Sequence, residues 1–210
     1  MELWTSKEIS EIIKNKIPKF QINTISINSR SLKKKDLFVA IKGQNFDGHD
    51  FVYEAFKKGA SAAIIDKSKI KNFRNNFFNN KTLIPVNNTL IFLKKLAKKS
   101  RRRPKNLKII GITGSSGKTS VKDWVSHILS KNFDVHKNPG NFNNQIGLPL
   151  TLSRMKRNTE ICVLEIGMNK PGEISILSKI AKPNISVITN IGPAHIGNFN
   201  NMEGIVKEKA

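Results

Sequence analysis

Several things are scarce in this chain of 210 residues. No apolar run approaches the roughly 20 residues that cross a bilayer, so a spanning helix is not expected. Met1-Glu2-Leu3-Trp4 offers no basic head followed by an apolar stretch, which argues against a signal peptide and for a cytoplasmic protein. The one cysteine, Cys162, lies in the apolar run Ile161 to Ile166 and reads as a buried strand residue rather than a nucleophile. Acidic residues are few: 15 against 37 basic ones, a formal charge of +22. Such an excess raises nucleic acid as a partner. Lysine outnumbers arginine 30 to 7, however, and asparagine and isoleucine abound, the pattern of an A+T-rich coding sequence. The basic residues are also spread along the chain, apart from Lys33-Lys34-Lys35 and the segment Lys94 to Lys108. With no interleaving of aromatic and basic residues and no Asn-Lys-x-Asp guanine-reading motif, a polyanionic small molecule is the better-fitting partner than nucleic acid.

What is present alternates between helix and strand signals. Thr5-Ser6-Lys7-Glu8 is a capping-box pattern before the stripe Ile9, Ile12, Ile13. Ile22, Ile25 and Ile27 suggest a strand, Leu37 to Ile41 a buried one, Ala55 and Phe56 a helix, and Ala60 to Ile65 another strand. Lys69 to Lys81, rich in Asn, Lys and Phe, has no period and is expected to be irregular. Strands are expected at Leu83 to Val86, Leu107 to Ile112, Phe133 to His136, Ile161 to Ile166 and Ile185 to Ile191. Helices are expected from Thr89 to Lys99, after Lys118, and after Pro171-Gly172. The whole implies an α/β chain: a small α/β unit over residues 1–80, a linker and domain start over 81–106, and a doubly wound, mostly parallel sheet over 107–210. The basic run Arg101-Arg102-Arg103-Pro104-Lys105 fits a solvated linker better than capture of an acidic ligand.

The sharpest signal is Gly111-Ile112-Thr113-Gly114-Ser115-Ser116-Gly117-Lys118-Thr119, between a β-branched strand and a helix. Glycines let N–H groups crowd phosphate oxygens at a helix N-terminus, Lys118 can neutralise them, and the Thr119 hydroxyl can bind Mg²⁺; Ser120 completes the first turn. The strict Walker spacing is not met, since Ile112 stands where a glycine is wanted. Asn138 to Gly147 holds four asparagines, among them Asn141, Asn143 and Asn144, which read either as a turn or as amides offered to phosphate or carboxylate. Glu165 and His195 fall near strand ends, the edge where ligands of such sheets bind. Each could equally be structural.

These stretches together resemble the Mur ligases, ATP-dependent amide-forming enzymes of peptidoglycan synthesis. The matching residues are Thr113 to Thr119, Leu37 to Gly43, Phe46 to Phe51, Gly140 to Leu152 and Glu165 to Asn169. The resemblance is strongest to members that join D-alanyl-D-alanine to UDP-N-acetylmuramoyl-tripeptide through an acyl phosphate. It implies that Lys118 holds phosphate oxygens, that Thr119 and Glu165 hold one Mg²⁺, and that His195 helps hold a second. It places a carbamylated lysine fourteen residues beyond the histidine, at Lys209, with Lys207 as the alternative. Ser29 and Arg30, with Lys42, Asp47 and His49, are the UDP-substrate candidates; Asn28 stands where the family has Asp. A monomer without nucleic acid or membrane insertion is implied. The family's chains are about twice as long, so an N-terminal fragment is expected, inactive alone. Diaminopimelate-adding Mur ligases and folylpolyglutamate synthases are the alternatives, and Leu148-Pro149-Leu150-Thr151 after the asparagine loop argues against both.

Overall fold

The expected capping box forms at Thr5. In the computed structural model, which describes residues 2–194, 196–199 and 201–210, strand β1 (Trp4–Thr5) runs into helix α1 (Ser6–Ile13). The Thr5 hydroxyl accepts from the Glu8 N–H at 3.2 Å and the Glu8 carboxylate accepts from the Thr5 N–H at 2.9 Å. A cap of this kind contributes about 1 kcal/mol. β2 (Gln21–Ile22) then pairs antiparallel with β1. The single strand expected from Ile22 to Ile27 is therefore broken, because Ile22 serves β1 whereas β3 (Ile25–Ser26) joins a different sheet.

That sheet is parallel, in the order β3, β4 (Leu37–Val39), β5 (Ala62–Asp66), β6 (Leu83–Val86), and helix α2 (Val52–Lys57) lies between β4 and β5 in the chain. Leu37, Phe38, Val39 and Ala40 are all completely buried, as an unbroken apolar run requires of a strand covered on both faces. The Phe-rich segment, expected to be irregular, is instead compact. Two 3-10 turns (Lys67–Phe73 and Asn76–Phe78) bring Phe73 and Phe78 into edge-on contact, 5.2 Å between ring centres, and set Phe78 against Phe56. Ring packing rather than backbone periodicity orders it, which is why no period announced it.

The boundary expected near residue 80 also moves. β6 pairs with β5 from Leu83 to Val86, so the first compact unit takes in that strand and extends to Leu96, and the second is Ala97–Ala210. Helix α3 (Thr89–Ser100) carries the chain from one to the other. Next come β7 (Lys108–Thr113), α4 (Lys118–Leu129), β8 (Val135–Lys137), α5 (Gly147–Ser153), β9 (Ile161–Glu165), α6 (Glu173–Ala181), β10 (Ile185–Ile188) and, after a 3-10 turn, α7 (Met202–Lys209).

The second sheet is parallel throughout, in the order β10-β7-β9-β8. The expected α/β class with parallel sheets holds. The chain leaves β7 toward β8, fills in β9, then crosses to β10 on the other side of β7, so the direction of winding reverses beside β7. Ligands of open α/β sheets bind at the carboxyl ends of strands beside such a reversal. One face is covered by Leu148, Leu152, Leu177, Ile180 and Ile205 packed on Ile109, Cys162 and Leu164. Cys162 is fully buried there, and burial pushes its thiol far above the usual range. Helix α4 departs from its sequence pattern. Trp124 and Ile128 are 68% and 62% exposed, whereas Lys122 and Ser126 are buried. Among the described residues no helix is long and apolar enough to cross a membrane.

Candidate functional site

β7 ends at Thr113, and the loop to α4 needs its glycines for different reasons. Gly114 has φ +148°, and a Cβ there would overlap Thr189 Oγ1. Gly117 has φ +75° and open space around it, and caps α4 with no side-chain acceptor. The first-turn N–H groups of a helix have no partners within it, and the dipole adds to their pull on an anion. Lys118 Nζ lies back over the loop, donating to Gly114 O at 2.8 Å and Ser115 O at 3.3 Å. Among the described residues the buried Thr113 hydroxyl has no hydrogen-bond partner. Ser120 is exposed on the first turn.

The loop tip is strapped to the segment after β10. The Ser115 and Ser116 N–H groups both donate to Asn190 Oδ1, at 3.1 and 2.9 Å. Thr189 Oγ1 donates to Ser116 O at 2.6 Å, and the Ser115 hydroxyl exchanges hydrogen bonds with the backbone of Gly192 at 2.8 and 2.9 Å.

Register places Glu165 beside Ile112 on the neighbouring strand. Its carboxylate is buried, with Oε2 accepting from Thr119 Oγ1 at 2.7 Å and Oε1 from Asn143 Nδ2 at 2.6 Å. Both partners are neutral. Asn143 in turn accepts from the Gly167 N–H at 2.9 Å. Asn144 is used differently from the expected amide donor: its Oδ1 accepts from the Ile146 and Gly147 N–H groups at 3.0 and 2.9 Å, fixing the entry to α5.

Loop and strand ends enclose a cleft of about 310 Å³ lined by Gly114, Lys118, Asn141, Asn143, Asn144 and Lys209. Lys209 is buried, and burial, with a further push from Lys118 and against the pull of Glu208, lowers its ammonium below the usual lysine range. Lys207 is exposed and pairs with Glu203 at 2.9 Å. His195 lies outside the described residues. Among the described residues no three His, Cys, Asp or Glu side chains converge as a metal cluster. Mg²⁺ in phosphate-binding sites needs only one or two carboxylates alongside phosphate oxygens and water.

In the first unit the candidates are mostly spoken for. Ser29 is buried and its hydroxyl donates to Glu54 Oε2 at 2.7 Å. Asn28 Oδ1 accepts from the Arg30 N–H at 2.9 Å, a turn an aspartate could make equally, and leaves Arg30 exposed. Lys42 is exposed, with its backbone bridged to Asp47. His49 is buried. Its Nε2 accepts from the Asp66 N–H at 2.9 Å, so the proton sits on Nδ1, 2.5 Å from Asp47 Oδ1. Burial alone would raise the Asp47 carboxyl, but the His49 backbone N–H, the His49 ring and Lys69 hold it at about 2. Asp47 and His49 thus form a clasp that fixes their loop. In the second unit Arg103 donates to the Ser100 hydroxyl at 2.6 Å and to the Met155 backbone carbonyl at 2.9 Å.

Two family models match, one described as "Mur ligase family, catalytic domain" over residues 21–101 and one as "Mur ligase middle domain" over residues 112–210. The chain belongs to the Mur ligase family. It is 42% identical to the UDP-N-acetylmuramoyl-tripeptide--D-alanyl-D-alanine ligase of Bacillus subtilis, covering 98% of this chain and 45% of that one. The Rickettsia prowazekii ligase of the same name is 41% identical, covering 99% and 44%. MurF from Acinetobacter baumannii superposes with a TM-score of 0.85 at 33% identity, over 100% of this chain and 46% of that one. MurF from Thermotoga maritima, solved in complex with ADP, superposes with a TM-score of 0.73 at 37% identity, over 89% and 42%. This Mur ligase chain therefore spans under half the length of the relatives it matches.

Sequence reasoning missed Asn190, Lys122, Asn138 and Glu208. Glu208 accepts from the Gly172 and Ile174 N–H groups at 2.7 and 2.8 Å, so α7, which carries Lys209, is tied to the start of α6. Asn138 and Asn190 lay in stretches already conspicuous for polar residues at strand ends; Lys122 gave no signal at all.

Proposed function

We propose that this chain provides the UDP-substrate and nucleotide sites of an ATP-dependent ligase that adds D-alanyl-D-alanine to UDP-N-acetylmuramoyl-tripeptide, a cytoplasmic step in making peptidoglycan precursor. One observation carries the reading: the glycine loop, Lys118, Thr119 and buried Glu165 meet at the carboxyl edge of one sheet, with Thr119 and Glu165 in direct contact at 2.7 Å. Loop N–H groups and Lys118 take the phosphates; the substrate carboxylate attacks the γ-phosphorus and ADP leaves, and the amine then attacks the carbonyl carbon of the acyl phosphate, loses a proton and expels inorganic phosphate to give the amide. Little covalent work falls to the protein, so positioning and neutralisation carry the rate.

The residues present fit Mg²⁺. Among the described residues the Glu165 carboxylate is met by a hydroxyl and an amide, so there its negative charge is not spent on a fixed cation. Thr119 and Glu165 would hold one ion, which supplies neutralisation of phosphate charge, and His195 is the family-based candidate toward a second. Lys209 is the carbamylation candidate: it lines the cleft with Lys118 and burial favours its neutral, CO₂-reactive amine. Uridine recognition is assigned to the first unit, around exposed Arg30 and Lys42. The chain acts as a monomer on small molecules, without nucleic acid.

Calorimetric titration with ADP and Mg²⁺ tests the reading. Lys118→Met should lose at least tenfold in affinity, or about 1.4 kcal/mol. Unchanged affinity would remove the loop from nucleotide binding. UDP-N-acetylmuramoyl-tripeptide should shift backbone amide signals within residues 2–96, and shifts confined to the phosphate loop would refute that placement.

A further inference from the structure

Helix α4 begins at the phosphate loop, yet its most buried side chain is a lysine. Lys122 lies one turn beyond Lys118 and is 1% exposed. Taking an ammonium out of water is costly unless oxygen atoms replace its hydration shell. Two backbone carbonyl oxygens do so here. Lys122 Nζ donates to Asn138 O at 3.1 Å and Gly140 O at 3.4 Å. The carboxylate nearest it, on Asp123, is 3.6 Å away and makes its shorter contact, 2.6 Å, with Lys137.

Both carbonyls belong to the start of the asparagine loop, and Asn138 continues the chain of contacts. Its side chain is completely buried. It grips the backbone of Glu165 from both sides, with Oδ1 accepting from the Glu165 N–H at 2.9 Å and Nδ2 donating to Glu165 O at 3.1 Å. Nδ2 also donates to Phe142 O at 3.0 Å, one residue before the Asn143 that holds the Glu165 carboxylate. Lys122 therefore fastens the phosphate-loop helix to the loop that fixes Glu165 at both backbone and side chain. A helix surface in need of adhesion alone would bury apolar groups there, and Trp124 and Ile128 were at hand on the same helix.

We propose that Lys122 is a positioning residue for Glu165, acting through Asn138, which sets the distance between that carboxylate and the Thr119 hydroxyl. The proposal rests on the reading of Glu165 as a metal-facing carboxylate. It separates two parts of nucleotide binding. The phosphates meet Lys118 and the loop, whereas the Lys122 ammonium is spent on the Asn138 and Gly140 carbonyls, and any gain from Mg²⁺ depends on where Glu165 stands.

The test is the affinity of the chain for ADP in EDTA and in Mg²⁺, for wild type and Lys122→Met, which keeps the length and loses the charge. The expected variant binds within twofold of wild type in EDTA but loses at least fivefold of the gain that Mg²⁺ gives wild type. With Mn²⁺ and ADP, its electron paramagnetic resonance spectrum should differ from that of wild type. Equal loss with and without metal means a merely structural lysine and overturns the proposal, as does an undiminished Mg²⁺ gain. If Lys122→Met does not fold, Asn138→Ala, which drops both contacts to the Glu165 backbone, must give the same selective loss, and an even loss overturns it. A wild-type chain that binds ADP without regard to Mg²⁺ overturns the metal reading of Glu165 and the inference together. A responsive wild type with an equally responsive variant overturns the inference alone.

Discussion

Gly114→Ala and Gly117→Ala are the same change in the same loop, and the structure separates them. At Gly117 the φ of +75° imposes strain, about 1 kcal/mol for an L-residue, and a Cβ would enter open space. At Gly114 the φ of +148° imposes comparable or greater strain, about 1 to 3 kcal/mol. There a Cβ would also overlap Thr189 Oγ1 and come within 3.2 Å of the Asn190 backbone. Thr189 must then leave Ser116 O, a 2.6 Å hydrogen bond worth about 1 kcal/mol, and the strap must shift at an overpacking cost of about 1 to 3 kcal/mol. Gly114→Ala should therefore destabilise the second unit by about 3 to 7 kcal/mol, against about 1 kcal/mol for Gly117→Ala. Urea unfolding followed by fluorescence of Trp124, the tryptophan of that unit, reads both. Equal losses in the two variants, or less than about 1 kcal/mol at Gly114, would refute the steric argument.

Other expectations follow from the first unit and from α7. Asp47 titrates at about 2 when folded, below its ordinary 3.8. A depressed carboxyl stabilises above its unfolded pKa and loses that contribution as pH falls through the folded value, so the clasp contributes about 2 kcal/mol above pH 4 and fades toward pH 2. Asp47→Asn should be destabilised at pH 6 and converge on wild type near pH 2, and a gap independent of pH would refute the clasp. Lys209 should give a carbamate carbon signal in ¹³C NMR with labelled bicarbonate. The signal should survive Lys207→Ala and vanish in Lys209→Ala, and the reverse pattern would move the modification to Lys207.

Most of the local structure was legible because it depends on neighbours in sequence. Thr5 and Glu8 cap a helix wherever they stand, a β-branched run followed by glycines and Gly-Lys-Thr bends one way, and alternation of the two fixes a parallel sheet with its ligand edge. Thr119 and Glu165 could be placed on that edge before any contact was known. What the tertiary structure alone decided is which polar groups lost their water. Lys122 and Trp124 are two residues apart on one helix, and hydropathy would bury the second. The structure buries the first, because only folding brings the Asn138 and Gly140 carbonyls to it. His49 became a strut rather than a free imidazole because the Asp66 N–H and the Asp47 carboxylate converge on it from strand and loop. Leu83 to Val86 joined the first unit through pairing with β5, which no local pattern encodes. Periodicity reports the solvent exposure a residue would have on an isolated element; hydrogen-bond partners far along the chain set the exposure it has.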